Sequence, residues 1–344
     1  MRILLEAHHP AHVHFWKYPV RELLERGHAV LLIGRDRDTM RRLLEAYDGI
    51  PAVIPPRRTR RNRFPLGEML ARQATVARHI LTFKPDVVAS VMGSYTQAAR
   101  LLGVRNVIFT DSEFQHFNHR IAHPFATEIH TPYCFYKPLG PKQRTYKGIH
   151  ELAFLDGRRF TPDFDRVRDR LPPPHNTPRR YIVIRLSAWN TLHDIRHHGF
   201  GHALFDFVDR FAPRFGIAIS AEEDALPHRL KPYAMPVPPE DFHHLLAFAR
   251  FCLTEGASTA AEACCLGVPT VYINSTEPRG YLQMLETDWH LCRTFHDPES
   301  GLPAATAWLD TLTDPDLDRL QPQRQRMIDA HGDVVTYVRA TLGS

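Results

Sequence analysis

Twice along this chain, short runs rich in Val, Ile and Leu alternate with stretches of helical length. In the first half RILLEA leads into a helix ending near Gly27, AVLLIG into one around DTMRRLLEAY, and AVIP into GEMLARQATVARHIL. PDVVAS, TQAARLLG and NVIFT continue the series. After a proline-rich break, LPPPHNTPRR, the pattern restarts with YIVIR, GIAIS, FCLTEG and TVYIN, with DFHHLLAFA and STAAEACCL between them. Such alternation predicts parallel sheets covered by helices, because a parallel neighbour is reached only through a crossover connection. The prolines after Leu171 continue neither a helix nor a central strand, so the division is expected there. This gives a first domain at 1–170, a linker at 171–179 and a second domain at 180–344, whose last stretch, VVTYVRATL, reads as a helix able to pack on either half. The fold class is therefore α/β, two Rossmann-like domains with mostly parallel sheets facing a central cleft. Ligands in such folds bind outside the carboxyl ends of the strands.

A length of 344 residues suits two domains. With 43% hydrophobic and 24% charged residues, the composition is that of a globular protein. No apolar run approaches the roughly 18 residues a membrane span requires, and MRILLEAHHP passes straight from a short apolar run into histidines, so a cytoplasmic location is expected. Five cysteines without a C-x-x-C pair read as reduced core residues. A net charge of +5 favours anionic partners without choosing among them. Histidine, at 22 residues, is unusually frequent.

One segment carries the strongest chemical signal: TEGASTAAEACCLGVP, from Thr254 to Pro269. FCLT reads as a strand, EGAS as a turn, and Thr259 to Leu266 as a helix stopped by Gly267 with Pro269 beyond. Gly256 permits close backbone approach, Ser258 or Thr259 can cap the helix, and the free amides there suit a phosphate. Glu262 lies a turn further in, where its carboxylate can accept hydrogen bonds from ribose hydroxyls. The plain alternative is an ordinary strand-turn-helix with a surface glutamate.

This segment resembles the donor-binding element of GT-B glycosyltransferases and of the non-hydrolysing UDP-sugar 2-epimerases, E-A-x-x-x-G-x-P after a Gly/Ser-rich turn, here Glu262, Ala263, Gly267 and Pro269. HHPAHVHFWK, RGHAVLLIGRDRD, FKPDVVAS, TDSE, YKGIHELAFL, SAWNTLHDIRHHG and PPEDFHHLLAFA extend the likeness over nearly the whole chain. Together they resemble domain-of-unknown-function family 354, predicted GT-B glycosyltransferases related to UDP-GlcNAc 2-epimerase and to the GlcNAc transferase that forms peptidoglycan lipid II. The resemblance implies that turn amides at Gly256, Ser258 and Thr259 hold a donor diphosphate and that Glu262 holds ribose. It also implies that His12, in the loop after the first strand, takes the proton of an acceptor hydroxyl, work that suits an imidazole near neutral pH. His14 is two residues on and points elsewhere if the segment is helical.

Asp111 and Glu113 of TDSE end another strand, where a carboxylate can orient that histidine or act as base, helix capping being the alternative. Arg185 is placed to pair with phosphate, with Ser187 adding a hydroxyl donor and His193 contacting the diphosphate or the sugar. His193 and His197, four apart, raise the possibility of a metal, but no third ligand has supporting spacing and none is expected. AMPVPPEDFHHLLAFA resembles the loop that cradles a nucleobase. PPRRTRRNRFP carries five arginines, Arg57 to Arg63, and reads as a solvated loop or as a contact for anionic lipid on the inner face of the plasma membrane. No nucleic-acid motif accompanies it.

The expected function is a metal-independent, inverting glycosyltransferase that uses no cofactor and moves a sugar from a nucleotide-diphosphate donor, a UDP-sugar, to a glycan or lipid-linked acceptor in surface polysaccharide or glycoconjugate synthesis. A UDP-sugar 2-epimerase is the rival. Those enzymes share Gly-Asp-Thr and His-Val-Glu-Ala-Gly-Leu-Arg segments; here the matching places read MGSYTQ and FTDSEFQ, so the first carboxylate is missing and Glu113 answers to the second. A sugar-nucleotide-binding protein without turnover is a third reading.

Overall fold

The computed structural model describes residues 1–35, 38–55, 65–93, 95–186, 200, 203–221, 226–235 and 237–344; of residues 38 and 65–69 only the backbone is described. The chain forms two compact units, Met1–Phe154 with His331–Ser344, and Leu155–Ala330.

The first unit is built on β1 (Arg2–Glu6), α1 (Pro10–Glu25), β2 (Ala29–Ile33), α2 (Asp38–Ala46), β3 (Ala52–Val53), α3 (Pro65–Phe83), β4 (Val87–Ser90), α4 (Thr96–Leu101), β5 (Arg105–Phe109), α5 (His116–Ala122), β6 (Glu128–Pro132) and β7 (Gln143–Tyr146). A short α6 (Leu152–Leu155) follows and runs across the division. Its seven strands run in the order β3-β2-β1-β4-β5-β6-β7, every pair parallel. The direction of strand addition reverses between β1 and β4, the point at which open parallel sheets bind their ligands. Ile3, Leu4 and Leu5 of β1 and Val87 to Ala89 of β4 are buried, which is why these runs are continuous rather than alternating.

The second unit contains α7 (Asp165–Arg168), β8 (Tyr181–Arg185), α8 (Ala203–Phe211), β9 (Gly216–Ser220), α9 (Phe242–Ala247), β10 (Phe251–Thr254), α10 (Ala257–Cys265), β11 (Thr270–Ile273), α11 (Gly280–Thr287), β12 (Cys292–Phe295), α12 (Pro298–Thr311) and α13 (Asp314–Ala330). Its sheet runs β12-β11-β10-β8-β9, again parallel throughout, with the reversal between β8 and β10. One face is filled by Ile182, Ile184, Phe207, Phe211, Phe251, Leu253 and Val271 with Leu302, Ala305 and Leu309 of α12.

The chain divides earlier than the proline-rich segment. Phe160 packs on His244, and Phe164 on Tyr181 and Phe248, which ties residues 155–171 to β8 and α9 of the second unit. The last helix, α14 (Val334–Gly343), returns to the first unit. There the Tyr337 hydroxyl lies 2.7 Å from His130 Nδ1, Arg105 donates to the Thr341 carbonyl at 3.0 Å, and Val334, Val335, Val338 and Leu342 are buried.

Candidate functional site

In the second unit the chain crosses the reversal point through Arg185, at the end of β8, and Thr254 to Gly256, after β10. The two are stitched together by the Glu255 amide, which donates to the Arg185 carbonyl at 3.1 Å. Asn274 Nδ2 donates to the Glu255 carbonyl at 2.9 Å and steadies the turn from its other side. Gly256 is extended (φ −90°, ψ 116°) and is the N-cap residue of α10; its own amide is taken by Thr254 Oγ1 at 2.9 Å. The helix therefore starts at Ala257, two residues before the expected Thr259, and Ser258 and Thr259 belong to its first turn rather than capping it. Gly256 itself has no side chain with which to cap it. Gly256, Ala257 and Ser258 are only partly buried, so the first-turn amides open at the surface of the unit, a mouth of partial positive charge.

Glu262 lies four residues after Ser258, hence on the same face one turn deeper. Its side chain is 8% exposed, and Oε1 lies 3.2 Å from His243 Nε2 on α9, itself 2% exposed. A carboxylate taken this far from water requires a partner, and the histidine provides it. His243 stands inside DFHHLLAFA, yet its role is invisible in sequence, because the contact joins α9 to α10. Arg185 is half-buried and its Nη1 donates to Ser220 Oγ at 2.7 Å, at the end of the neighbouring β9. Ser187, His193 and the arginine run Arg57 to Arg63 lie outside the described residues.

In the first unit the equivalent end of the sheet is crowded with ionisable groups. Glu6 closes β1, held there by Trp16 Nε1 donating to its carbonyl at 3.0 Å. Its Oε1 lies 2.8 Å from His8 Nδ1, and the His8 and His12 rings meet edge-on at 4.4 Å. His12 sits in the first turn of α1, after His9, whose side chain accepts from the Ala11 amide at 3.2 Å and caps the helix. Burial first, then the neighbouring His8, His9 and His150, hold the His12 imidazole well below its usual pKa. It is neutral at pH 7. The helix turns His14 away from this group: its Nδ1 lies 2.9 Å from the Tyr47 hydroxyl and its ring stacks on Phe154 at 5.3 Å.

The carboxylate expected to orient His12 has another partner. Asp111 Oδ2 lies 3.1 Å from His150 Nδ1, and Ser112 Oγ donates to Asp111 Oδ1 at 3.0 Å. His150 packs on Phe15 at 4.6 Å, which fixes its ring. Capping is excluded for Asp111 and Ser112, since Gln115 is the N-cap residue of α5. Glu113 is 1% exposed, and Lys137 Nζ donates to its carbonyl at 3.3 Å. His150 was missed in sequence because it joins the site from beyond β7. The five cysteines are free, and burial pushes the Cys134 thiol up to about 12, the reduced, unreactive state that their spacing suggested. No helix among the described residues is long and apolar enough to cross a membrane.

No family model and no curated protein matches this chain. Solved structures do. UDP-GlcNAc 2-epimerase from Neisseria meningitidis bound to UDP-GlcNAc superposes with a TM-score of 0.72 at 12% identity over 99% of each chain. UDP-GlcNAc 2-epimerase from Methanocaldococcus jannaschii, in complex with UDP-GlcNAc and UDP, gives 0.64 at 14% identity over 98% of this chain and 100% of that one. MurG from Acinetobacter baumannii gives 0.59 at 14% identity over 99% of each. At these identities the likeness is one of fold: two parallel sheets of seven and five strands, the GT-B arrangement. The resemblance to family 354 itself gains no family-model support, whereas the expected fold does stand.

Proposed function

We propose that this chain is a nucleotide-sugar enzyme, its second unit taking the nucleoside diphosphate of a UDP-sugar and its first unit supplying acid/base groups for chemistry on the sugar. The observation that carries this is the open first turn of α10 backed by the buried His243–Glu262 pair. Unsatisfied amides at a helix start suit a diphosphate, and a carboxylate one turn deeper suits a pair of ribose hydroxyls. UDP is favoured as the nucleotide because two full-length structural relatives are described with UDP-GlcNAc bound.

The reaction best supported is epimerisation at C2 of the sugar. Inverting that centre removes a proton from one face and returns one to the other, which calls for more than one acid/base group. Glu113, the Asp111–His150 pair and neutral His12 cluster at the strand ends of one sheet, a richer set than a single general base. The stronger fold likeness to the epimerases, TM-score 0.72 against 0.59 for MurG, points the same way. Glycosyl transfer is the second reading, favoured by one specific feature: MGSYTQ carries no carboxylate where the epimerases have Gly-Asp-Thr. In that case one base takes the acceptor hydroxyl's proton and the α10 amides stabilise the departing diphosphate.

Incubation with UDP-N-acetylglucosamine in deuterated water separates them. Deuterium at C2 with appearance of the C2 epimer, read by proton NMR, is the expected result. UDP released only when an acceptor is added, with no exchange at C2, establishes the transferase. Stabilisation by UDP with neither outcome leaves a binding protein.

A further inference from the structure

At the carboxyl end of β1, beside the strand-order reversal of the first unit, three side chains stand in an arrangement that acid/base chemistry alone does not account for. Glu6 at the end of β1, His8 in the following loop and His12 in the first turn of α1 each offer one ligand atom, all within 4.8 Å of one another. Glu6 Oε1 and His8 Nδ1 already stand 2.8 Å apart, while His8 Nε2 is turned to the Met92 sulfur at 3.0 Å, on the loop after β4. Two further atoms are buried without a hydrogen-bond partner: Glu6 Oε2 and His12 Nδ1. Their residues are 1% and 6% exposed. The Tyr95 phenol is pushed up by burial, then by the Glu6 charge and by a hydrogen bond to the Glu6 carboxylate, while Oε2 of that carboxylate keeps no partner.

A buried polar atom left unsatisfied costs about 1–3 kcal/mol, and more when charged. A carboxylate oxygen and an imidazole nitrogen left unsatisfied on two residues of one convergent group are what a cation that accepts electron pairs would satisfy. The location agrees, since ligands of open parallel sheets enter where strand order reverses.

We propose that Glu6, His8 and His12 bind a divalent transition-metal ion, with Zn²⁺ the ion their donor set suits best. Two imidazole nitrogens and one carboxylate oxygen form a three-ligand set that leaves one coordination position open. Ligands about 2.0–2.2 Å from a tetrahedral zinc lie roughly 3.3 Å from one another, so the group closes on the ion by small side-chain rotations. His8 is the one member that is only partly buried, and it gives the ion its way in. A metal here takes His12 out of the acid/base set, in which Glu113 and the Asp111–His150 pair remain, and leaves the open position to a water or a substrate oxygen. This site stands independently of which sugar reaction the chain performs.

The test is metal uptake, not turnover. The full chain is stripped with a chelator, reloaded with Zn²⁺ or Co²⁺ near pH 7, and examined by elemental analysis and visible absorption. One equivalent of tightly held metal is expected, with the intense cobalt bands of four- or five-fold coordination. His8→Gln and His12→Gln should each weaken binding at least about 10-fold, the loss that even outer-sphere changes produce at metal sites. Glu6→Gln should do the same, and because its burial puts folding at risk, circular dichroism accompanies each variant and the His8 change serves as the surface-accessible counterpart. His193→Gln and His197→Gln should leave uptake unchanged. Absence of cobalt bands in the intact protein overturns the proposal, as does uptake that survives both the His8 and His12 changes or that is lost only with His193 or His197.

Discussion

His243 Nε2 stands 3.2 Å from Glu262 Oε1, and both side chains are buried in the second unit. The histidine fixes which way the carboxylate faces. If Glu262 holds ribose, Glu262→Ala should weaken UDP binding about 10- to 100-fold, the worth of charge-assisted hydrogen bonds of roughly 1.5–3 kcal/mol. His243→Ala should weaken it less, and adding it to Glu262→Ala should bring little further loss, because the histidine acts through the glutamate. Isothermal titration with UDP reads all three. A His243→Ala protein that binds UDP like the parent removes the positioning role.

Asp111 and His150 are paired at 3.1 Å in the first unit, whereas the residues assigned to the nucleotide belong to the second. Asp111→Asn keeps the shape and removes the charge that holds the imidazole. Turnover, followed as C2 exchange or as transfer, should fall about 10²- to 10⁴-fold while UDP affinity stays constant. Full turnover in this variant would show that the pair is structural.

Gly93, in the turn between β4 and α4, has φ +77°, and an added Cβ would come within 2.6 Å of Ile108 Cδ1 and 3.2 Å of Ala122 Cβ. Gly93→Ala thus combines left-handed backbone strain with overpacking against the buried Ile108, Ala122 and Ile129 cluster. It should cost about 2–4 kcal/mol. Gly49 has φ +84° with nothing within 4 Å, so Gly49→Ala should cost only the strain, about 1–2 kcal/mol. Paired urea titrations give the comparison, and equal losses would refute it.

Burial, followed by the Arg166 charge, holds His244 at about 4, and its Nδ1 accepts the Asp163 amide at 2.9 Å. The folded imidazole refuses a proton that the unfolded one takes near pH 6.5. Stability is therefore level above that pH and declines as pH falls from about 6.5 towards about 4. His244→Asn preserves an acceptor for the amide and has no proton to gain, so its melting temperature should decline less steeply over this window. His123, also held at about 4 by burial and by His119, adds a slope of the same sign to both proteins. Identical slopes would exclude His244 as a contributor.

What could be read from sequence follows from where the information is local. The strands β1, β4, β8, β10 and β11 are buried on both faces, so their apolar runs announce them. QRTY and CRTF, the edge strands β7 and β12, carry polar residues on an outer row and were passed over. The strand, turn and helix from Phe251 to Cys265 were legible because a helix start is a short-range pattern, although the helix begins two residues before the expected Thr259. His150, His243 and Glu6 were not, since each gains its significance from a partner brought by another element or, for Glu6, from a loop and a helix that fold over the strand end. The division of the chain was equally hidden: contacts between distant segments, Phe160 and the Asp163 amide with His244 and Phe164 with Tyr181 and Phe248, show which side of it residues 155–171 belong to.

The placement of α14 has a bearing on biosynthesis. A ribosome delivers the seven-stranded sheet early, but the valines and leucine of this helix emerge only after the whole of Leu155–Ala330 has been translated. Until then a groove beside α1 and β5 stays bare, with Arg105 lacking the carbonyls it grips later. The amino-terminal half of the polypeptide thus matures last, reversing the usual order in which nascent domains complete themselves.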